Sequence, residues 1–534
     1  MAGEAWLNLC DMIEKHAELR ADEIALVAPR KSWLNYINPF HQKYEYLSFY
    51  ELHSRIQLYA KTMVAEGISA GDRVLVFIPP SFHFSSIVFA LFKIAAVPVL
   101  IDPGMGVDNL LNCIEKVKAK YLIGIAKIHH LKAFKSRYFK SIEKSFVIDG
   151  RALNAISFEK RSLQVSSHPD IQSVSVNPQQ LGAILFTSGG TGTPKGVLYT
   201  QEIFYRQALK LKQMFELNPM EIDYPCFPLF SLFTLSLGMK NCIPNLDASA
   251  PAQCDGKTLV KEMISHQVTF AAGSPAIFMK VADYCERKKI TLPSLRCLIV
   301  FGAPVSVSLH QRFQKILPHG KLYTPYGATE CLPVSCISST TILQETASLT
   351  QKGLGVCVGY PAPNVQIQIL ADAEIAVKSD TVTLGYFENE EASCKVRFKD
   401  QQGQTWHKMG DVGKLDEYGR LWFYGRKNHC FELNHQLYYS AQVEAIFNEH
   451  PAVFRSALVK LSDRPAVVIE RVDHLTDLPA GEWEDFLAEL LNIAKDHNHT
   501  KAIKDFFLHP SFPVDARHNI KIDREKLSEW AQSQ

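Results

Sequence analysis

Short apolar, β-branched runs alternate with amphipathic helical patterns through the first 180 residues, and this rhythm constrains the fold more than any other feature of the chain. Residues 50–66 carry Leu52, Ile56, Tyr59, Ala60 and Met63 on one helical face, and Gly67 ends the pattern. Residues 73–78 (RVLVFI) read as a strand, a helix follows from about Ser85, and strands follow at 97–101 and 120–125. The strand signal returns in LGAILFT, VTFAAG and LRCLIVFGAP. Alternation of this kind predicts an α/β fold, with parallel sheet layers covered by helices. From about Asp372 the pattern changes: AEIAVKS and KLDEYGRLWFYGR, with a turn at Glu417-Tyr418-Gly419, read as antiparallel strands and a hairpin. Beyond Arg426 a smaller unit begins, with helices near 441–449 and 483–494 and strands near 456–461 and 466–471. The expected organisation is a large unit over 1–425 and a small α+β unit over 426–534.

Composition removes several classes of function. Lys and Arg number 57 against 55 Asp and Glu, a formal charge of +2, and 47% of the 534 residues are hydrophobic. That balance excludes a disordered chain and a strongly basic polynucleotide binder. None of the 12 cysteines forms a C-x-x-C pair, so they read as scattered, reduced and mostly buried thiols. The most apolar stretch, residues 84–101, contains Lys93 and Pro98 and is bounded by Pro79-Pro80 and Asp102-Pro103. A buried helix followed by a buried strand fits it better than a membrane span, which needs about 20 apolar residues. No secretory leader is evident at the N-terminus, so a cytoplasmic protein, with peripheral membrane association left open, is expected.

The most informative residues for chemistry are Thr187, Ser188, Gly189, Gly190, Thr191, Gly192, Thr193, Pro194, Lys195 and Gly196. They follow the apolar run LGAILF. Glycines and hydroxyl residues in a turn leave many N–H and O–H donors free for phosphate oxygens, and Lys195 adds a positive charge. The string is not a Walker A loop, because Pro194 precedes the lysine and Gly196 follows it. A flexible linker is the alternative, but linkers rarely follow a buried strand directly.

This string resembles the T-S-G-x-T-G-x-P-K-G signature of the adenylate-forming superfamily of acyl-CoA synthetases, luciferases and nonribosomal adenylation domains. Gly190 departs from the usual Ser or Thr. Three more blocks, and one short turn, resemble that superfamily. YTPYGATECLP begins at Tyr323. Here the resemblance implies that Tyr326 stacks near adenine beside Gly327, that Thr329 bonds the α-phosphate, and that Glu330 holds Mg²⁺. Gly302, Ala303 and Pro304 resemble the adenine-binding turn. MGDVGKLDEYGRLWFYGRKNH implies Asp411 as acceptor for both ribose hydroxyls and Arg426 as the arginine at the domain junction. FPVDARHNIKIDREKL resembles the segment with the catalytic lysine, here Lys521, with Asn519 and Ile520 replacing the usual small residues. Lys195, Thr329 and Lys521 are the implied catalytic residues. The implied fold is a large N-terminal domain of layered mixed sheets with helices and a small β-barrel-like part, followed by a mobile C-terminal lid. ATP and Mg²⁺ are the implied co-substrate and metal.

Four strings (LIDPGMG, CFPLFSLFTLSLGM, YGATECLPVS and VDARHNIKIDREKL) resemble the β-lactone-forming branch of that superfamily, which serves bacterial long-chain olefin biosynthesis. The implied reaction is adenylation of a 2-alkyl-3-hydroxy fatty acid, after which its own 3-hydroxyl displaces AMP. The alternatives are a fatty acid–CoA ligase and a fatty acyl-AMP ligase. Coenzyme A ligases carry a glycine at the position of His435, and an imidazole there is expected to obstruct a pantetheine arm. Phe227, Phe230, Ser231 and Phe233 are the expected acyl-pocket residues, with plain core packing as the alternative. The branch also implies a thiolase-like enzyme, a reductase and a decarboxylase as partners.

Overall fold

The computed structural model describes residues 8–30, 43–187, 194–476, 478–514 and 522–534. Two large sheets dominate it. The first has seven strands, in the order Ile156–Ser157, Lys144–Ile148, Tyr121–Ile125, Arg73–Phe77, Val97–Ile101, Leu181–Thr187 and Lys195–Thr200. All its neighbours are parallel except the last pair. The expected parallel layer is therefore present.

Local chemistry sets the helix starts slightly earlier than periodicity does. Ser48 and Glu51 form a reciprocal capping box, so the helix runs Phe49–Ala65. Ser81 accepts from the Phe84 amide and starts the helix Phe82–Lys93. That helix and the strand Val97–Ile101 account for the apolar stretch, and Lys93 is fully buried where its ammonium meets Glu14 at 3.1 Å. Among the described residues no helix is long and apolar enough to cross a membrane. All twelve cysteines are free thiols, most of them buried.

The second sheet is mixed. Its parallel half contains Lys240–Cys242, Ile222–Pro225, Phe270–Gly273, Cys297–Val300 and Lys321–Ala328. The chain then reverses into Cys331–Ser338, and the antiparallel strands Val356–Pro361, Leu421–Arg426, Thr405–Leu415, Glu374–Ser379 and Val365–Ile369 extend the sheet in open order. This is the part expected to be barrel-like, and it encloses its own core around Val334, Ile375, Val377 and Leu421.

After Arg426 the strands Val453–Lys460, Pro465–Arg471 and Asp505–Leu508 make a separate three-stranded sheet. Helices Ser440–Phe447, Ala480–Lys495 and Arg524–Gln532 cover it. Arg524 grips Glu444 with two ion-pair contacts of 2.5 and 2.8 Å and donates to the Leu458 carbonyl, tying the last helix to the first.

Candidate active site

The glycine-rich string lies between two strands that pair with each other. Thr187 pairs with Lys195 across two antiparallel strands, so the chain returns as a strand immediately after the loop. Ser188, Gly189, Gly190, Thr191 and Gly192 lie outside the described residues, as does Lys521. Lys195 opens the returning strand Lys195–Thr200 with an exposed side chain. Its ammonium lies 4.8 Å from the centre of the Tyr386 ring, within cation–π range.

Tyr386 is held there by backbone pairing. Val197 bridges Tyr386, Leu198 exchanges hydrogen bonds with Gly385 and Leu384, and the Phe387 amide donates to the Gly196 carbonyl at 2.7 Å. The buried Tyr386 hydroxyl then donates to Glu330 Oε1 at 2.7 Å. Lys195 and Glu330, 135 positions apart by number, thus engage opposite parts of one phenol ring.

Glu330 and Thr329 form the two-residue turn between Lys321–Ala328 and Cys331–Ser338, because Ala328 pairs with Cys331. Register shifts just before this turn, and a Cβ added at Gly327 would lie 2.7 Å from the Cys331 carbonyl. Glycine is therefore required for the bulge. The Thr329 carbonyl accepts from Tyr199 at 2.6 Å and the Glu330 carbonyl from the Thr383 amide at 2.9 Å. The turn is fixed to the same strand that carries Lys195.

Tyr326 precedes this turn and donates to Asp411 Oδ2 at 2.5 Å. Asp411 and Arg426 are cross-strand neighbours, with Arg426 Nη1 3.2 Å from Asp411 Oδ1. Burial raises the Asp411 carboxyl above the usual carboxylate range, and the Arg426 charge opposes that rise. The same burial, with the Asp411 charge, drives the Tyr326 phenol upward. Oδ1 of Asp411 is buried and takes no hydrogen bond. A buried acceptor of this kind suits a hydroxyl-bearing ligand. A carboxylate at Glu330 near a cationic lysine likewise suits phosphate bridged by a hard divalent ion.

Gly302, Ala303 and Pro304 follow the strand Cys297–Val300, and Gly302 adopts a φ of +91°. Phe301, just before them, stacks on Phe230 at 5.1 Å and meets the edge of Phe227 at 5.7 Å. Phe230 in turn contacts Phe233 at 5.8 Å. The aromatic segment and the 302–304 turn therefore adjoin. Both lie beyond the carboxyl ends of parallel strands, where α/β sheets hold ligands. Ser231 is buried and donates to the Pro228 carbonyl at 2.7 Å. It lines a void of about 10 Å³ with Pro80, Phe84, Pro225 and Ile243, room for roughly one water.

His435 lies in an exposed turn of the small unit. Asn434 and His435 both take positive φ between Leu433 and Gln436, and the imidazole is fully exposed. A two-residue hairpin turn of that kind projects its side chains into solvent.

Sequence reasoning missed Tyr386, Tyr199 and His407. His407 is buried, and that burial lowers its imidazole to about 4 against the opposing charge of Glu330. Tyr199 lies on the strand that Lys195 opens and reaches the turn through its side chain, while Tyr386 and His407 are brought in by pairing between distant strands, so no local signal marks their roles.

The strand that Lys195 opens and the carboxylate-bearing turn at Glu330 thus meet at one place between the two sheets. A sequence profile described as AMP-binding enzyme matches residues 13–387, and the chain belongs to that family. It is 36% identical to the olefin beta-lactone synthetase of Xanthomonas campestris pv. campestris, over 99% of this chain and 98% of that protein. Identity to the olefin beta-lactone synthetase of Stenotrophomonas maltophilia is 33%, over 99% and 98% of the two chains. The amide bond synthetase McbA of Marinactinospora thermotolerans superposes with a TM-score of 0.79 at 19% identity, covering 98% of this chain and 99% of that one. That last likeness concerns the fold alone.

Proposed function

We propose that this chain adenylates a long-chain 2-alkyl-3-hydroxy fatty acid and closes it to a β-lactone. The observation that carries this reading is the 36% identity, over essentially the whole chain, to an olefin beta-lactone synthetase. In the first step a carboxylate oxygen attacks the α-phosphorus of ATP and pyrophosphate leaves. In the second the substrate's 3-hydroxyl oxygen attacks the acyl carbon, loses its proton, and AMP departs with the electrons of the acyl–oxygen bond. Intramolecular attack gains from a high effective concentration of the nucleophile.

The residues divide this work. Lys195, with Thr187, Ser188, Gly189, Gly190, Thr191 and Gly192, holds phosphate oxygens. Glu330 would hold Mg²⁺, which would neutralise phosphate charge there. Thr329 donates to the α-phosphate, and Tyr326 with Gly327 and the 302–304 turn flanks the base. Asp411, buttressed by Arg426 and Tyr326, accepts the ribose hydroxyls. Lys521, on a small unit acting as a lid over 426–534, neutralises charge developing at the α-phosphate. Phe227, Phe230 and Phe233 border the acyl chain, with Ser231 behind them. The product is passed to a decarboxylase, and the substrate comes from a thiolase-like enzyme and a reductase.

The second reading is a fatty acid–CoA or fatty acyl-AMP ligase, which would share the adenylation step. Incubating the purified chain with ATP and Mg²⁺ separates the readings, using a simple fatty acid and a 3-hydroxy acid, each with and without coenzyme A. β-Lactone from the hydroxy acid without coenzyme A is the expected product. Efficient thioester formation from the simple acid would sink the proposal.

A further inference from the structure

Charge on this chain is unevenly distributed. Residues 116–144 contain eight lysines and Arg137 against Glu143 alone, so 9 − 1 gives +8 in a segment of a chain whose total is +2. The segment is well seated. Ile128 and Phe139 are buried in the core beside the first sheet, and His129 Nε2 lies 3.0 Å from the Phe146 carbonyl. What remains outward is mostly cationic and apolar, with Glu143 as an exposed acid. On the helix Ala126–Phe134, the exposed residues Lys127, His130 and Phe134 recur at helical spacing on one face. Lys135, Arg137 and Lys140, all exposed, continue from it through the turn Ser136–Phe139. Among the described residues no carboxylate forms an ion pair with Lys118, Lys135 or Lys140. Phe134 is 86% exposed. Lys132 donates to Ser145, which donates to the Asn154 carbonyl, so the neighbouring loop with Leu153, 81% exposed, adjoins this surface.

Lys120 and Lys144 are neutralised by Asp72 and Glu66, and Glu115 lies near Arg137, but Lys118, Lys135 and Lys140 keep their charge beside the exposed Phe134 and Leu153, a combination unsuited to a merely solvated face. Together they match an anionic bilayer: lysine and arginine meet lipid phosphates, and the phenylalanine and leucine enter the boundary with the acyl chains. Nucleic acid would satisfy the charge but not the aliphatic tip. We propose that the surface formed by the helix Ala126–Phe134, the turn Ser136–Phe139 and Leu153 docks this enzyme onto anionic phospholipid membranes. This holds whichever acid is activated.

The test is sedimentation of the full chain with phosphatidylcholine vesicles, pure or containing about a third phosphatidylserine, at low and at about 0.5 M salt. Binding to the anionic vesicles only, weakened by salt, is expected. A Lys135→Glu/Arg137→Glu/Lys140→Glu variant is expected to lose about tenfold or more in vesicle affinity, and Phe134→Ser a smaller factor. Both should keep wild-type circular dichroism and pyrophosphate–ATP exchange with a water-soluble acid. Equal binding to neutral vesicles, absence of binding, or unchanged affinity in folded variants would overturn the proposal. So would a single-stranded RNA that binds more tightly than vesicles and depends on the same cations.

Discussion

Lys195 and Glu330 meet through Tyr386: the ammonium lies over the ring and the carboxylate accepts from its hydroxyl. One phenol thus sets the spacing between the cation and the carboxylate of the candidate phosphate site. Tyr386→Phe keeps the ring and removes the hydrogen bond. Its rate of pyrophosphate–ATP exchange is expected to fall roughly tenfold, with a higher Mg²⁺ requirement. Tyr386→Leu should fall further, because it also removes the surface that holds Lys195. Equal activity of the two variants would show that the ring contact is unimportant.

Asp411 is the second test. Asp411→Asn keeps the shape, removes the charge and leaves Arg426 without its partner. The KM for ATP is expected to rise about tenfold to a hundredfold, the loss typical of a hydrogen bond to a charged group. Burial raises the Asp411 carboxyl in the free enzyme, so acidification protonates it sooner than an ordinary aspartate. Wild-type affinity for ATP should therefore weaken as pH falls through that raised value. The Asn variant should lack this limb, which titration calorimetry across mildly acidic pH can resolve.

Lys521→Ala is expected to slow adenylation by about a hundredfold or more, as for loss of a transition-state donor. Rapid-quench measurement of acyl-AMP in a single turnover gives the answer. A near-normal rate there removes Lys521 from the mechanism.

A buried group away from the nucleotide residues controls stability. Asp223 is fully buried, one oxygen accepts from Thr234 at 2.6 Å, and burial raises its pKa from 3.8 to about 7. Because the folded value lies above the unfolded one, the favourable contribution is complete below about pH 4. It is lost as pH rises to about 7. Asp223→Asn should remove this slope and stabilise the protein above neutrality by a few kcal/mol. Urea unfolding at pH 5 and pH 8 checks it: an Asn variant with the same difference between the two pH values as wild type would contradict the assignment.

Much of this architecture is legible in the sequence because it is local. Ser48 and Glu51 write the helix start into four residues, and RVLVFI can be little but a strand. Asp411 and Arg426 are legible as a pair only through the hairpin that joins them, whose turn at Glu417-Tyr418-Gly419 is visible in composition. Tyr386 is not legible, since it enters through a single bridge to Val197 from a segment with no periodicity of its own. His435 is the opposite case. Alignment gives it a position in a string, whereas two positive φ angles turn its side chain away from the protein.

The return of the chain as a strand at Lys195 has a consequence for anion recognition. A loop that runs into a helix lends its ligand the partial positive charge of the macrodipole, which no side-chain substitution can abolish. A loop closed by two antiparallel strands has no such reserve. The long-range attraction for a polyphosphate must come from ionised side chains, and it is correspondingly exposed to screening by salt and to loss through a single neutral substitution.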